Sequence, residues 1–278
     1  MKDLHIHTKY SDGELDEFEI IQEVQNSKIK EFAIADHDTI DGSKKVFDIL
    51  NEKNYDLIFH PAVELTCRVN EYLNGINVHL LIQDFDYNNE KLLSLINEVS
   101  ELRFKKIQKM VDYIEKIYKI DIPKHELQKT IKKTKSFGKP HLYSILCKIG
   151  KYNREEYYDT MDKLSTAEFK LDAKKVITDL KDNCKIILAH PIEIMEEYNF
   201  SVDDIEKLIV YLKNLGLTGI ETHHSSQTKA LQNKLSIIAQ KHNLIESFGS
   251  DFHGENVKPG LKIGQIFREE KGNKWDIY

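Results

Sequence analysis

Paired cysteines, long apolar runs and repeats are all missing from this chain, and each absence narrows what it can be. Its 278 residues include only Cys67, Cys147 and Cys184, an odd and scattered set. That excludes a disulfide scaffold and points to a reducing, cytoplasmic setting. No apolar stretch approaches the roughly 18–20 residues that a membrane-spanning helix needs, so no membrane association is expected. The opening residues lack a positively charged segment followed by an apolar one, so no secretory signal is expected. No internal repeat and no low-complexity linker breaks the chain, and nothing marks an obligate protein partner. The net charge is −6, whereas a generic nucleic-acid-binding domain would be basic throughout. Histidine is also scarce, at 12 residues, so any pattern among the histidines carries weight.

What is present is ordinary globular material. The chain is 40% apolar and 31% charged, enough to bury a core, and its length suits one large α/β barrel or two small domains. Apolar periodicity predicts a strand at Lys2–Thr8, a helix over Glu14–Lys28, and a buried strand over Glu31–Asp36. A helix over Gly42–Lys53 and strands at Asp56–Glu64 and Asn77–Gln83 follow. The alternation reads as parallel β/α units. It resumes after residue 171, where Asp172 and Ser201 are placed to cap helices. Strands are expected at Lys185–Ala189, Thr218–Thr222 and Leu244–Phe248, with a long helix over Thr228–His242. The fold class is therefore α/β, with residues 1–87 and 171–278 forming one barrel.

Between residues 88 and 170 the strand signal vanishes. Leu92, Leu95, Ile96, Val99 and Leu102 recur at helical spacing, and a long helix is expected to reach Tyr118. This stretch reads as a helical insertion covering one face of the barrel. It is also where the positive charge gathers: Arg103–Lys139 holds twelve basic and four acidic residues. A basic cover of this kind attracts a phosphorylated ligand, and Arg103, Lys139 and His141 are candidates to hold one.

The chemistry sits at the strand ends. In His5-Ile6-His7 a period of two puts both imidazoles on one face, and Ser11-Asp12-Gly13 adds a carboxylate on a turn. Alone, a His-x-His is more often a buried pair than a ligand pair. His37, Glu64, His79, His190, Asp251 and His253 then recur at or in further strands, and a closed barrel gathers those ends around one mouth. Nine mixed N/O donors exceed the four or so that one zinc takes. They suit two or three divalent ions, with Glu64 a natural bridge. His224 follows the sixth strand and is a candidate for substrate contact. His60 reads as a packing residue, His125 and His242 as surface positions, and Cys67 as core.

These motifs, His5-Ile6-His7, Ser11-Asp12-Gly13, Asp36-His37-Asp38, Glu64, His79, His190-Pro191 and Gly249-Ser250-Asp251-Phe252-His253, resemble the PHP (polymerase and histidinol phosphatase) family of metal-dependent phosphoesterases over nearly the whole chain. The resemblance implies a distorted seven-stranded (β/α)7 TIM-like barrel holding Zn, Mn or Fe. It also implies a grouping: His5, His7, Glu64 and Asp251 on one ion, Glu64, His79 and His190 on a second, and Asp12, His37 and His253 on a third. Within the family, the insertion and Gly138-Lys139-Pro140-His141 resemble the branch that dephosphorylates 3′,5′-nucleoside bisphosphates and trims short 5′-phosphorylated RNA. That branch usually has Arg at the position of Lys139, and Lys loses the bidentate fork.

The expected reaction is phosphate-ester hydrolysis by a metal-bridging hydroxide. Asp251 is placed as ligand and proton acceptor, and His253 or His190 as proton donor to the leaving group. The substrate would be a phosphorylated small molecule or nucleotide, with short RNA or DNA ends as a further class. A small-metabolite phosphatase of the histidinol-phosphate type and a catalytically silent metal-binding module are the alternatives.

Overall fold

The first strand shifts register between Asp3 and Ile6, and Ile6 packs with Ile20, Val24 and Phe32 while Leu4 joins a cluster of small residues, Ala33, Ala35, Ala62 and Ala189, with Leu81 and Ile187. Small side chains there let the strands curl tightly around their axis. The computed structural model describes residues 1–53, 55–133 and 137–267. Its strands and helices run β1 (Lys2–Ile6), α1 (Glu17–Asn26), β2 (Glu31–Ile34), α2 (Asp41–Glu52), β3 (Ile58–Val69) and β4 (Ile76–Gln83). Four helices follow: α3 (Glu90–Tyr118), α4 (Lys124–Lys133), α5 (Lys139–Ile149) and α6 (Arg154–Asp162). The barrel resumes with β5 (Leu171–Asp172), α7 (Ala173–Leu180), β6 (Lys185–Leu188), α8 (Pro191–Tyr198), α9 (Val202–Leu215), β7 (Gly219–His224), α10 (Lys229–Lys241) and β8 (Ile245–Gly249).

Seven strands make the wall in the order β1-β2-β3-β4-β6-β7-β8, with β5 attached to β3. A parallel bridge between Ile6 and Phe252 brings the last strand back to the first, supported by Asp251 N–H to His5 O at 2.9 Å. This is the distorted seven-stranded barrel expected from the sequence. Its distortion is that β4 runs antiparallel to both neighbours. β3 does not stop at Glu64; it continues to Val69 and forms a hairpin with β4. A two-residue-period segment that long has no sequence signal for where it leaves the barrel wall.

The helix ends follow local chemistry. Asp16 and Glu19 form a capping box at the start of α1, and Ser201 and Asp204 form another on α9. Asp172 caps α7 through the Lys174 N–H at 2.8 Å. On α2, Val46 is buried, whereas Phe47 is 37% exposed and rests on Tyr87. α3 serves two cores. Leu92, Leu95 and Val99 pack on the barrel, whereas Ile107, Met110, Val111 and Ile114 join Leu142, Ile145, Leu146, Tyr157 and Met161 in a separate cluster. Residues 134–136, part of the basic stretch, lie outside the described residues. No helix among the described residues is long and apolar enough to cross a membrane.

Candidate metal centre

His5 and His7 project from β1 and its end into one buried cluster, their ring centroids 5.0 Å apart. His5 Nδ1 lies 3.1 Å from Glu221 Oε1, which leaves its Nε2 pointing inward, 3.2 Å from Glu64 Oε2. His7 Nε2 is 3.2 Å from both Glu64 Oε2 and Asp251 Oδ1. The turn after β1 brings Asp12 back over the cluster, with Oδ1 3.3 Å from His253 Nε2 and Oδ2 3.7 Å from His37 Nε2.

Glu64 sits at the middle, fully buried on β3. Oε2 meets His37 Nδ1 at 3.0 Å, and Oε1 meets His79 Nδ1 at 2.9 Å and His190 Nε2 at 2.8 Å. His79 reaches it because β3 and β4 pair Glu64 with Leu81 and Thr66 with His79. The two side chains are thus diagonal neighbours on one face, within reach of long side chains. An antiparallel strand delivers from its middle what the parallel strands deliver from their ends.

Four sets of donor atoms lie within 4.8 Å of one another: His7–Asp12–His37–His253, His5–His7–Asp251, His5–Glu64–His190 and His37–Glu64–His79. Four of these atoms, His5 Nε2, His7 Nε2, His37 Nδ1 and Glu64 Oε2, are buried without a hydrogen-bond partner. They lie at ion-pair distance from other donors yet miss hydrogen-bond angles, so their lone pairs converge on shared points rather than on each other. Orphaned buried polar atoms are unfavourable unless something completes them. An N/O donor set of this kind fits divalent transition ions. All nine predicted ligand residues are in the cluster.

The electrostatics match. Burial alone would raise the Glu64 carboxyl, but the imidazoles of His37, His5 and His79 outweigh it and hold the group well below its usual range. Asp251 and Asp12 are depressed in the same way by surrounding histidines, against the effect of burial. Burial works against protonating His7 and His190. Even so, Asp251 and Glu64 around His7, and Glu64 and Glu193 around His190, push each up to about 9. His37 goes the other way, to about 3, because burial is reinforced by neighbouring His7 and His79.

A second layer of buried carboxylates, not singled out from the sequence, holds the donors in place. Glu221 accepts from His5 and from the His190 backbone N–H at 2.7 Å. Asp36 accepts from Thr8 N, Thr8 Oγ1 and Ser11 Oγ, each at 2.7 Å, and so fixes the turn carrying Asp12. Asp3 accepts from Ser250 N at 2.9 Å and Gly264 N at 2.7 Å, holding the loop of Asp251. The available signal was acidic residues at apolar positions of buried strands. Asp38, His190 and Asp251 all adopt positive φ, at 54°, 25° and 56°. Such backbone is costly for non-glycine residues and clusters at functional sites.

The predicted substrate contacts land in different places. His224 is fully buried, with Nε2 3.3 Å from Asp251 Oδ2, so the structure sets it behind a donor rather than at the open mouth. Lys258, unanticipated, also ion-pairs with Asp251. Arg103 from α3 grips Asp38 through Nη2 at 2.7 Å and Nε at 3.0 Å, tying the insertion to the barrel mouth. Lys139 pairs with Asp162 inside the insertion. His141 Nδ1 accepts from Gly138 N at 3.1 Å, and the ring lies within electrostatic reach of Asp12. Elsewhere, His60 is not a packing residue: its two nitrogens bridge Asp84 at 2.6 Å and Glu31 at 3.0 Å. His125 is 79% exposed and Cys67 fully buried, as expected, while His242 is half-buried against Glu206.

Comparison with known proteins follows the same lines. A family model described as the PHP domain matches residues 3–203. A 5′-3′ exoribonuclease of Haemophilus influenzae is 27% identical over 90% of this chain and 89% of that protein. A phosphoribosyl 1,2-cyclic phosphate 1,2-diphosphodiesterase of Eggerthella lenta is 23% identical, over 92% and 95% of the two chains. A solved structure from Bifidobacterium adolescentis, described as a metal-dependent phosphoesterase, superposes with a TM-score of 0.73 at 23% identity, covering 97% of this chain and 92% of that one.

Proposed function

The chain belongs to the PHP domain family of metal-dependent phosphoesterases, and from that premise we propose that it hydrolyses phosphate esters of nucleotides. The foremost substrates are 3′,5′-nucleoside bisphosphates, followed by short 5′-phosphorylated oligonucleotides. The observation that carries this reading is the convergence of nine imidazole and carboxylate side chains, with four buried donor atoms left without hydrogen-bond partners. The relatives named for exoribonuclease and cyclic phosphodiesterase activity support a phosphorylated nucleotide or sugar as substrate class.

Two or three divalent ions, Zn, Mn or Fe, bound at His5, His7, Asp12, His37, Glu64, His79, His190, Asp251 and His253 would screen the phosphate charge and acidify a coordinated water. The remaining work falls to the protein. Asp251 turns Oδ1 toward His5, His7 and His253, at 3.7, 3.2 and 3.3 Å, which suits it to accept a proton from the attacking water. His253 Nδ1 faces the Asp251 carbonyl oxygen at 2.9 Å, so this nitrogen carries the hydrogen and Nε2 faces Asp12. His253 and His190 belong to different donor sets, and either would return a proton to the leaving oxygen. Residues 88–170 act as a basic, lid-like subdomain on the barrel of 1–87 and 171–278. Its fixed point is the Arg103–Asp38 pair.

The test is metal analysis of the purified protein joined to a substrate panel. The panel holds adenosine 3′,5′-bisphosphate, histidinol phosphate and a 5′-phosphorylated oligonucleotide, each assayed with Mn. Preference for the bisphosphate, abolished in His7→Ala, is the expected result. Absence of transition metal, or undiminished activity in His7→Ala, ends the proposal.

A further inference from the structure

Several lysines that are half-buried in this protein sit on carboxylates: Lys109 on Glu168, Lys139 on Asp162 and Lys258 on Asp251. Lys106 and Lys170 do not. Among the described residues neither has a carboxylate within the 4.0 Å of an ion pair, although both are half-buried. A half-buried ammonium without a contacting counterion is unfavourable, and two that repel each other are more so, with Glu197 and Asp38 offsetting this only from beyond ion-pair distance.

Their position gives the arrangement a purpose. Lys106 is one turn beyond Arg103 on α3, so the two share a helix face. Arg103 is already committed to Asp38, which removes that carboxylate as a partner for Lys106. Lys109, a further turn along, bonds Ser165 O at 2.9 Å and Glu168, and holds α3 against the segment that leads into Lys170. Lys170 lines the cleft whose other walls are Asn77, His79, His190, Glu193 and Glu197. Two of those walls are donors of the metal cluster. The two acids are engaged, Glu197 with Asn77 Nδ2 at 2.9 Å and Glu193 with His190 Nδ1 at 3.1 Å.

We propose that Lys106 and Lys170 form a second anion subsite, beside the donor cluster on its His79–His190 side, that holds a phosphate of the substrate other than the one being cleaved. The inference rests on the nucleotide-phosphatase reading for the identity of its ligand. It shifts the source of selectivity from Arg103 and Lys139, which are neutralised by Asp38 and Asp162, to two lysines that are not. Consistently, burial foremost, aided by neighbouring cations and opposed by Asp38 at Lys106 and Glu197 at Lys170, lowers both ammonium groups from the usual lysine value. An incoming phosphate would relieve that strain.

The experiment compares kcat/KM for one nucleoside carrying two phosphates and the same nucleoside carrying one, in the full-length, metal-loaded protein. The variants are Lys106→Met, Lys170→Met and the double. A charge-assisted hydrogen bond lost from a partly buried site predicts that the two-phosphate to one-phosphate ratio falls about 10-fold per lysine, chiefly through KM. Lys106→Arg and Lys170→Arg keep the ratio near wild type, and Lys174→Met, which removes an exposed lysine already paired with Glu71, leaves both activities unchanged. Running a nucleoside 3′,5′-bisphosphate beside a 5′-phosphorylated dinucleotide shows which source supplies the second phosphate. A ratio unchanged in the folded double variant, or an equal loss on both substrates, overturns the proposal. Calorimetric binding of inorganic pyrophosphate is measured in parallel. If the wild type hydrolyses no phosphate ester but binds pyrophosphate more tightly than the double variant, the subsite stands and the phosphatase reading falls.

Discussion

Glu221→Gln isolates what the second layer of carboxylates contributes. Glu221 is fully buried on β7 and joins two donors, accepting from His5 Nδ1 at 3.1 Å and from the His190 backbone N–H at 2.7 Å. Glutamine fills the same volume but offers one acceptor and one amine. Whichever way the amide turns, a donor then faces a donor at one of the two contacts. The loss of one charge-assisted bond to a buried partner is about 1–3 kcal/mol. The same change frees the tautomer of His5, whose inward Nε2 depends on the hydrogen at Nδ1. Removing such a supporting partner weakens metal affinity by about 10–100-fold, equivalent to roughly 1.4–2.7 kcal/mol, so the two routes agree. Competition with a chromophoric chelator measures the affinity, and thermal melts with and without chelator separate it from folding. The expected result is weaker metal binding, with the greater part of the melting-temperature loss seen in the loaded protein. If Glu221→Gln binds metal within twofold of wild type, Glu221 is a packing residue and the argument fails.

Gly249→Ala tests the same wall from the other side, because a Cβ there would lie 2.3 Å from both His5 Cβ and Glu221 Oε1. Overpacking of that kind costs about 1–3 kcal/mol, and the variant is expected to lose both melting temperature and metal stoichiometry, read by melts and elemental analysis. Chelation alone should destabilise the protein: at an ion concentration 100-fold above Kd, binding contributes about 2.7 kcal/mol, a fall of roughly 5–10 °C for a domain of this size. A melting temperature indifferent to chelator would count against a resident ion. The metal-free protein should also show a pH optimum. Folding raises His7 and His190 from 6.5 to about 9, so their contribution is complete below pH 6.5 and disappears as pH rises through 9. Glu64, Asp251 and Glu221 are depressed, so theirs is present above the ordinary carboxylate range and is lost in acid. Melts across a pH series of chelated protein should therefore peak near pH 5–6.5. Rising stability between pH 7 and 9 would contradict the assignment.

The donors of the candidate site were legible in the chain because they are tied to strand ends, and strand ends announce themselves. His5-Ile6-His7 follows a period of two, and His190-Pro191 and Ser250-Asp251 interrupt apolar runs. A scarce residue type recurring at such breaks leaves few other readings. Less legible was anything that depends on two distant segments touching. Asp3, Asp36 and Glu221 looked like polar residues in or beside strands, and nothing local distinguishes an acid that braces a histidine from one facing water. Arg103 and Lys139 looked like free cations because Asp38 and Asp162 lie 65 and 23 residues away from them.

By itself the sequence determined most of the helices and strands, the α/β barrel class and the nine candidate N/O donors, since periodicity, capping residues and side-chain chemistry are properties of neighbouring residues. Only the tertiary structure decided that β4 runs backwards and still delivers His79 to Glu64, and that His224 lies behind Asp251. It alone decided that Arg103 and Lys139 are neutralised and that Lys170 lines the cleft beside His79 and His190. Those outcomes are set by sheet register and by ion pairs between remote segments, and neither leaves a trace in local order.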